Sequence, residues 1–404
     1  MSKKLELARQ VSLPMLAFYG IGTILGAGIY VLVGKVAGEA GFYTPFSFIL
    51  ASLLAAFSGF SYAELSARFP HSAGEAIYIE EGFGIKNLSV TVGLLVVAIG
   101  IVSTATLAHG FAGYFRVFFE FPEYLIVIGI VLFMGVICSW GIGPSVFIAS
   151  AMTIVEIIGL LIILYVGRDA FVILPEKMSD MFPPFESSIW IGVFMGSFIA
   201  FYAYLGFEDI VNIAEETVKP RINIPLAIII SLCVTTVFYI LISVVAIILL
   251  APQELATSEA PLAMLYQRTT GQAPIVITAI SLISVLNGAL IQVIMGSRVL
   301  YGMSRKKWLP AKIGAVNNIT HTPVLATVLV TAFVLFFALL FPLLSLAKIT
   351  SFITLIVFML INFSLIKIKL SKRSHEGFSV PLWVPVVGGT STLIFILFLT
   401  INLI

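Results

Sequence analysis

The sequence predicts an all-α polytopic membrane protein of about eleven transmembrane helices. Three observations lead there. Of 404 residues, 60% are hydrophobic and 10% charged, with a mean hydropathy of +1.13, whereas a soluble domain is about 45–50% apolar and about 25% charged. The apolar residues run continuously over stretches long enough to cross about 30 Å of hydrocarbon as helices, where barrel strands would alternate. The charges lie almost wholly between those stretches. This composition excludes a disordered chain, a secreted disulfide scaffold and a nucleic-acid binder. The 22 basic and 20 acidic residues nearly cancel, so net charge names no partner beyond the lipid bilayer.

Residues 11–36 form the first span. It has span length and no small-residue cleavage site, so it is expected to be retained rather than removed as a signal. Gly20, Gly22, Gly26, Gly28 and Gly34 interrupt it, and each glycine costs about 1 kcal/mol relative to alanine in a helix interior. Span 2 (44–68) ends with Glu64 and Arg68 at i, i+4 spacing, a helix-end pair. Span 3 (87–118) carries Ser103 and Thr104, with His109 toward its far end as a packing or interface residue. Spans 4 (122–141) and 5 (145–167) follow, and Glu156 stands alone in mid-span 5 within MTIVEIIGLLIIL. Residues 168–187 and 252–273 are the longest loops and have room for short surface helices.

Span 6 (188–217) reads GSFIAFYAYLGFEDIVNIAEE, with Gly206 at its middle followed by Glu208 and Asp209. An acid pair at that depth is costly unless it faces a cavity or a partner. Glu208 suits a cap on the second half-helix or a gating role, and Asp209 a local cap or ion-pair partner. Span 7 (223–251) is uninterrupted. Span 8 (274–302) carries Ser284 and Asn287, read as facing different sides, one of them a cation ligand opposite span 1. Spans 9 (323–341), 10 (344–369) and 11 (381–403) complete the set. Cys138 and Cys233 read as buried free thiols. No metal-ligand spacing and no cofactor motif is visible.

Lysines and arginines concentrate before span 1 (Lys3, Lys4, Arg9) and between spans 2 and 3, 6 and 7, 8 and 9, and 10 and 11. That bias predicts a cytoplasmic N-terminus and, with eleven spans, an outer C-terminus. The two interrupted helices, spans 1 and 6, stand five apart. This matches a single transmembrane domain over 1–404 built from inverted repeats at about 11–167 and 188–369, with an extra span at 381–403. Carriers of this design bind substrate at the midplane, where the first helix of each repeat is broken. Half-helix N–H groups suit a carboxylate, and half-helix carbonyls an ammonium. Such a site fits a zwitterionic amino acid.

Four stretches carry a family resemblance: GIGTILGAGIYVLVG at 20–34, SYAELSARFPHSAGEAIYIEEGFG at 61–84, FYAYLGFEDIVNIAEETVKPRINIP at 201–225 and GSRVLYGMSRKKWLP at 296–310. Together the chain resembles the amino acid permeases of the amino acid–polyamine–organocation (APC) superfamily. The resemblance implies a LeuT-like 5+5 inverted repeat with spans 1 and 6 unwound. It implies secondary active transport of amino acids across the cell membrane by alternating access, as proton-coupled symport or exchange. The backbone N–H groups of Gly26, Ala27 and Gly28 would receive the substrate carboxylate. The carbonyls of Ile24 and of span 6 around Tyr202, Leu205 and Gly206 would receive the amine. Tyr202 or Tyr204 would gate the ligand from above, and Ser103 and Thr104 would line its side-chain pocket. Proton-coupled members can place a lysine in span 5 near where Glu156 falls, so Glu156 is a proton carrier or a sodium ligand. The family commonly has twelve spans against the eleven here, which leaves oligomer contacts, monomer or homodimer, open. A polyamine or organic-cation carrier of the same superfamily and a non-transporting amino acid sensor are the alternatives. A channel would need a continuous polar pore, and an enzyme a catalytic cluster; neither is present in the sequence.

Overall fold

The computed structural model describes residues 9, 11–71, 74–140, 145–317, 320, 322–371 and 377–403; Lys3 and Lys4 lie outside them. Helices occupy all eleven expected segments. Span 1 is α1 (Leu13–Ala27) plus α2 (Ile29–Ala40), and span 2 is α3 (Thr44–Arg68). A short helix α4 (Gly74–Phe83) precedes α5 (Lys86–Phe115), α6 (Glu123–Trp140) and α7 (Ser145–Val166), which are spans 3, 4 and 5. The long loop after span 5 holds α8 (Asp169–Lys177). Span 6 is α9 (Ser187–Ala203) continued by a 3-10 helix over Glu208–Glu216, and span 7 is α10 (Pro220–Leu249). The second long loop holds α11 (Pro252–Thr257) and α12 (Pro261–Thr270). Spans 8 to 11 are α13 (Ile275–Arg305), α14 (Val324–Leu340), α15 (Leu343–Leu370) and α16 (Trp383–Leu403). Among the described residues, eight helical stretches are long and apolar enough to cross a membrane, with shorter apolar helices beside them.

Both faces of α7 are largely apolar, and its buried polar side chains lie on one of them. On α7 the exposed large side chains Ile154, Ile158, Leu161 and Tyr165 recur at helical spacing, while Thr153, Glu156, Leu160 and Ile163 are buried on the opposite side. Cys138 is buried as expected, but Cys233 is exposed on the apolar exterior, where a small thiol costs little.

The packing pairs spans five apart. α2 lies on α9, α3 on α10, and α5 on α13. Other contacts come in partners related by the same shift: α1 on α10 matches α3 on α9, α1 on α7 matches α9 on α15, and α7 on α13 matches α5 on α15. The strand-like bridge between Val11 and Thr217 also ties the start of span 1 to the end of span 6.

Candidate functional site at the crossing of two broken helices

Span 1 breaks at one residue, Gly28, between α1 and α2. Span 6 breaks over 204–207, where Gly206 has φ +126°, a conformation side chains rarely adopt. The breaks are seated in each other. A Cβ on Gly28 would stand 2.2 Å from Ala203 Cβ and 2.3 Å from its Cα, and one on Gly206 would stand 2.7 Å from Thr23 Cγ2 and 3.0 Å from its carbonyl carbon. Only glycine allows this backbone approach, so these glycines form the crossing as well as loosening the helices.

The carbonyls at the crossing are not open. Tyr239 of α10, fully buried, lies with its hydroxyl 2.6 Å from the Ile24 carbonyl and 2.7 Å from the Ala203 carbonyl. The Tyr202 carbonyl accepts the Leu205 N–H at 3.1 Å. The expected amine-binding oxygens of Ile24 and Tyr202 are therefore already engaged in this conformation. Sequence reasoning missed Tyr239, although a lone tyrosine in the middle of the apolar span 7 was a legible signal. At the other side of the break, Gly28 begins α2 with no side-chain cap. Gly26 and Ala27 remain inside α1, so the unwound stretch is narrower than expected.

The structure separates the expected pocket residues. Tyr202 meets Ser103 across α9 and α5, hydroxyl to hydroxyl at 2.9 Å. Thr104 turns its hydroxyl back to the Gly100 carbonyl of its own helix at 2.7 Å. Tyr204 points the other way, donating to the Phe48 carbonyl at 3.2 Å and packing on Tyr239 with ring centroids 5.0 Å apart. Of the two tyrosines, Tyr202 alone faces span 3.

Glu156, Ser284 and Asn287 do converge. Asn287 donates to Glu156 Oε1 at 2.9 Å. A Cβ on Gly26 would lie 2.6 Å from the Ser284 carbonyl and 3.5 Å from Glu156 Oε1. The expectation that Ser284 and Asn287 face different sides is corrected: three residues apart on a helix, they share a face, and both turn toward span 1. Thr153 joins them beside Gly22. Among the described residues, Glu156 Oε2 and the Ser284 hydroxyl have no hydrogen-bond partner.

Below the span 6 break, Glu208 accepts the Gly206 N–H at 2.9 Å, within the break itself, and the second half-helix starts with no side-chain cap. Asp209 accepts from Gln292 of α13 at 2.7 Å, an amide partner rather than an ion pair. At the opposite end from α4, a cavity of about 750 Å³ is lined by Val31, Lys35, His109, Glu123 and Ala338. His109 bridges three helices there, its Nδ1 facing Glu123 and its Nε2 the Ala338 and Phe341 carbonyls at 2.9 and 3.1 Å.

A family model described as "Amino acid permease" matches residues 11–404. Cationic amino acid transporter 3, mitochondrial, of Arabidopsis thaliana is 29% identical, with 95% of this chain and 68% of that protein aligned. The branched-chain amino acid permease BcaP of Bacillus subtilis is 27% identical over 98% of this chain and 89% of its own. The methylthioribose transporter of the same organism is 28% identical over 96% and 87%.

Proposed function

The chain belongs to the amino acid permease family and is a multi-pass membrane transporter rather than an enzyme, and on that premise we propose that it carries amino acids by alternating access about the crossing of its two broken helices. The observation that carries this reading is the seating of Gly28 on Ala203 and of Gly206 on Thr23. It brings an uncapped helix start and two helix-end carbonyls to one place. The first N–H groups of α2 offer a partial positive charge for the substrate carboxylate. The carbonyls of Ile24 and Ala203 offer the complement for the ammonium, which takes over the position of the Tyr239 hydroxyl. Tyr202 and Ser103 close the side next to the bound side chain.

The pairing of spans five apart supports an inverted repeat, because a twofold axis in the membrane plane exchanges span k with span k+5 and makes contacts come in such partners. On this reading one repeat rocks against the other. The end carrying α4 is cytoplasmic, the side that an excess of basic residues in the loops favours, and the cavity beside His109 is the outer vestibule. Transport runs as proton-coupled symport or as exchange. Two of the relatives' names give cationic and branched-chain amino acids and a third a thiosugar; for an amino acid substrate the backbone crossing is the reader of its α-amino acid group.

Reconstitution into proteoliposomes tests the proposal. Uptake or exchange of at least one labelled amino acid from a panel is expected. An absence of both in vesicles shown to be sealed and correctly loaded would overturn it.

A further inference from the structure

A second set of titratable groups lies between α4 and the 3-10 part of span 6, away from Glu156. Glu75 of α4, Glu208 and Asp209 are all buried. They lie within electrostatic range of one another. Each keeps one carboxyl oxygen without a hydrogen-bond partner, as do the hydroxyls of Tyr62 and Tyr78, the side-chain oxygen of Gln292 and both amide atoms of Asn212. Five of these eight orphan atoms can only accept when the carboxyl groups are ionised, while the hydroxyls of Tyr62 and Tyr78 and the Asn212 amide nitrogen carry hydrogens.

The arginines of the surrounding elements have partners of their own: Arg68 of α3 pairs with Glu64, Arg305 of α13 lies over the Tyr301 ring, and Arg298 of α13 is also engaged. α3 presents Tyr62, α4 itself Tyr78, and α13 Gln292. From α15, Lys367 sits on the Phe83 ring at the far end of α4, and Lys369 pairs with Glu64. Lys306, after α13, pairs with the outlying Glu80. Three buried carboxyl groups are not all ionised together without a cation. Among the described residues no group of acids converges closely enough to hold a metal ion. Protons are what remain.

Resting on the transporter reading above, we propose that Glu75, Glu208 and Asp209 form the site from which the coupling proton is handed to the cytoplasm, with Glu75 as its gatekeeper. The site is poised for this. Burial, with the Glu208 carboxyl beside it, pushes the Glu75 carboxyl up to about 8, so it keeps a proton at neutral pH. α4 packs on α15 and α5, and its start is also touched, through Val211 beside Gly74, by the 3-10 part of span 6, which holds a non-helical residue at Ile213 (φ −103°, ψ 20°). When that half-helix swings away to open the inner side, Glu75 meets water and its proton leaves.

Steady-state accumulation in proteoliposomes tests this, with the membrane potential clamped at zero and one unit of pH gradient, acid outside. One proton per substrate gives the parent about tenfold accumulation. E75Q and D209N are expected to accumulate about onefold, and E75D to recover part of the gradient response. Size-exclusion profiles matching the parent show that the variants are folded. The inference is overturned if E75Q and D209N accumulate like the parent, if only E156Q loses accumulation, or if the parent transports without responding to the gradient. In that last case the transporter reading stands; failure of all uptake would sink that reading instead.

Discussion

The Tyr239 hydroxyl is the clearest case of one atom acting on both repeats. It has a single hydrogen to share between the carbonyls of Ile24 and Ala203, and those oxygens are buried where water cannot replace it. Leaving a buried acceptor unpaired costs about 1–3 kcal/mol. Y239F is therefore expected to lower the melting midpoint of the detergent-solubilised protein. Because the substrate ammonium would then meet carbonyls with no competitor, the rise in midpoint on adding substrate should be larger than in the parent. An unchanged midpoint together with an unchanged substrate response would remove Tyr239 from the crossing. The sequence pointed to the Ile24 carbonyl; that a side chain from span 7 already occupies it is invisible without the fold, since the residues are 215 positions apart.

At the scale of elements, Glu64 carries more than its i, i+4 spacing implied. Its buried carboxylate takes Arg68 at 2.7 Å, Lys369 of α15 at 2.7 Å and the Val380 N–H, just before α16, at 2.8 Å. One turn toward the middle of α3, Asn362 of α15 bonds Ser58 and Ser61, and Gly388 of α16 leaves room for it. A polar seam thus fastens α3, α15 and the approach to α16, where apolar packing alone has little preference for one helix neighbour over another in lipid. Removing one partner of a buried ion pair costs about 3–5 kcal/mol. E64Q should destabilise the protein by that order in thermal or denaturant unfolding, and a loss under about 1 kcal/mol, the scale of an exposed pair, would show Glu64 to be only a surface partner.

For the whole molecule, Glu75 gives stability a pH dependence whose sign is fixed. Its carboxyl is raised from an ordinary 4.5 to about 8 in the folded protein, so the folded state holds a proton that the unfolded state has released. That contribution is complete below about 4.5 and is lost as pH rises through about 8. The melting midpoint of the parent should fall from pH 6 to pH 9, and E75Q should flatten that fall; equal slopes in both proteins would exclude Glu75 as its source. The sequence by itself determined the class, the eleven apolar segments, the two breaks and the isolation of Glu156, because span length, glycine content and the cost of a charge in hydrocarbon are local properties. It misjudged the facing of Ser284 and Asn287 and the reach of Glu64, and it passed over Glu75 inside a motif it had quoted. Those depend on which helix faces which, and continuously apolar helices carry no amphipathic stripe to announce it. Only the tertiary structure brought the two breaks together and set three acids in one buried neighbourhood, because glycine permits close approach without specifying what approaches.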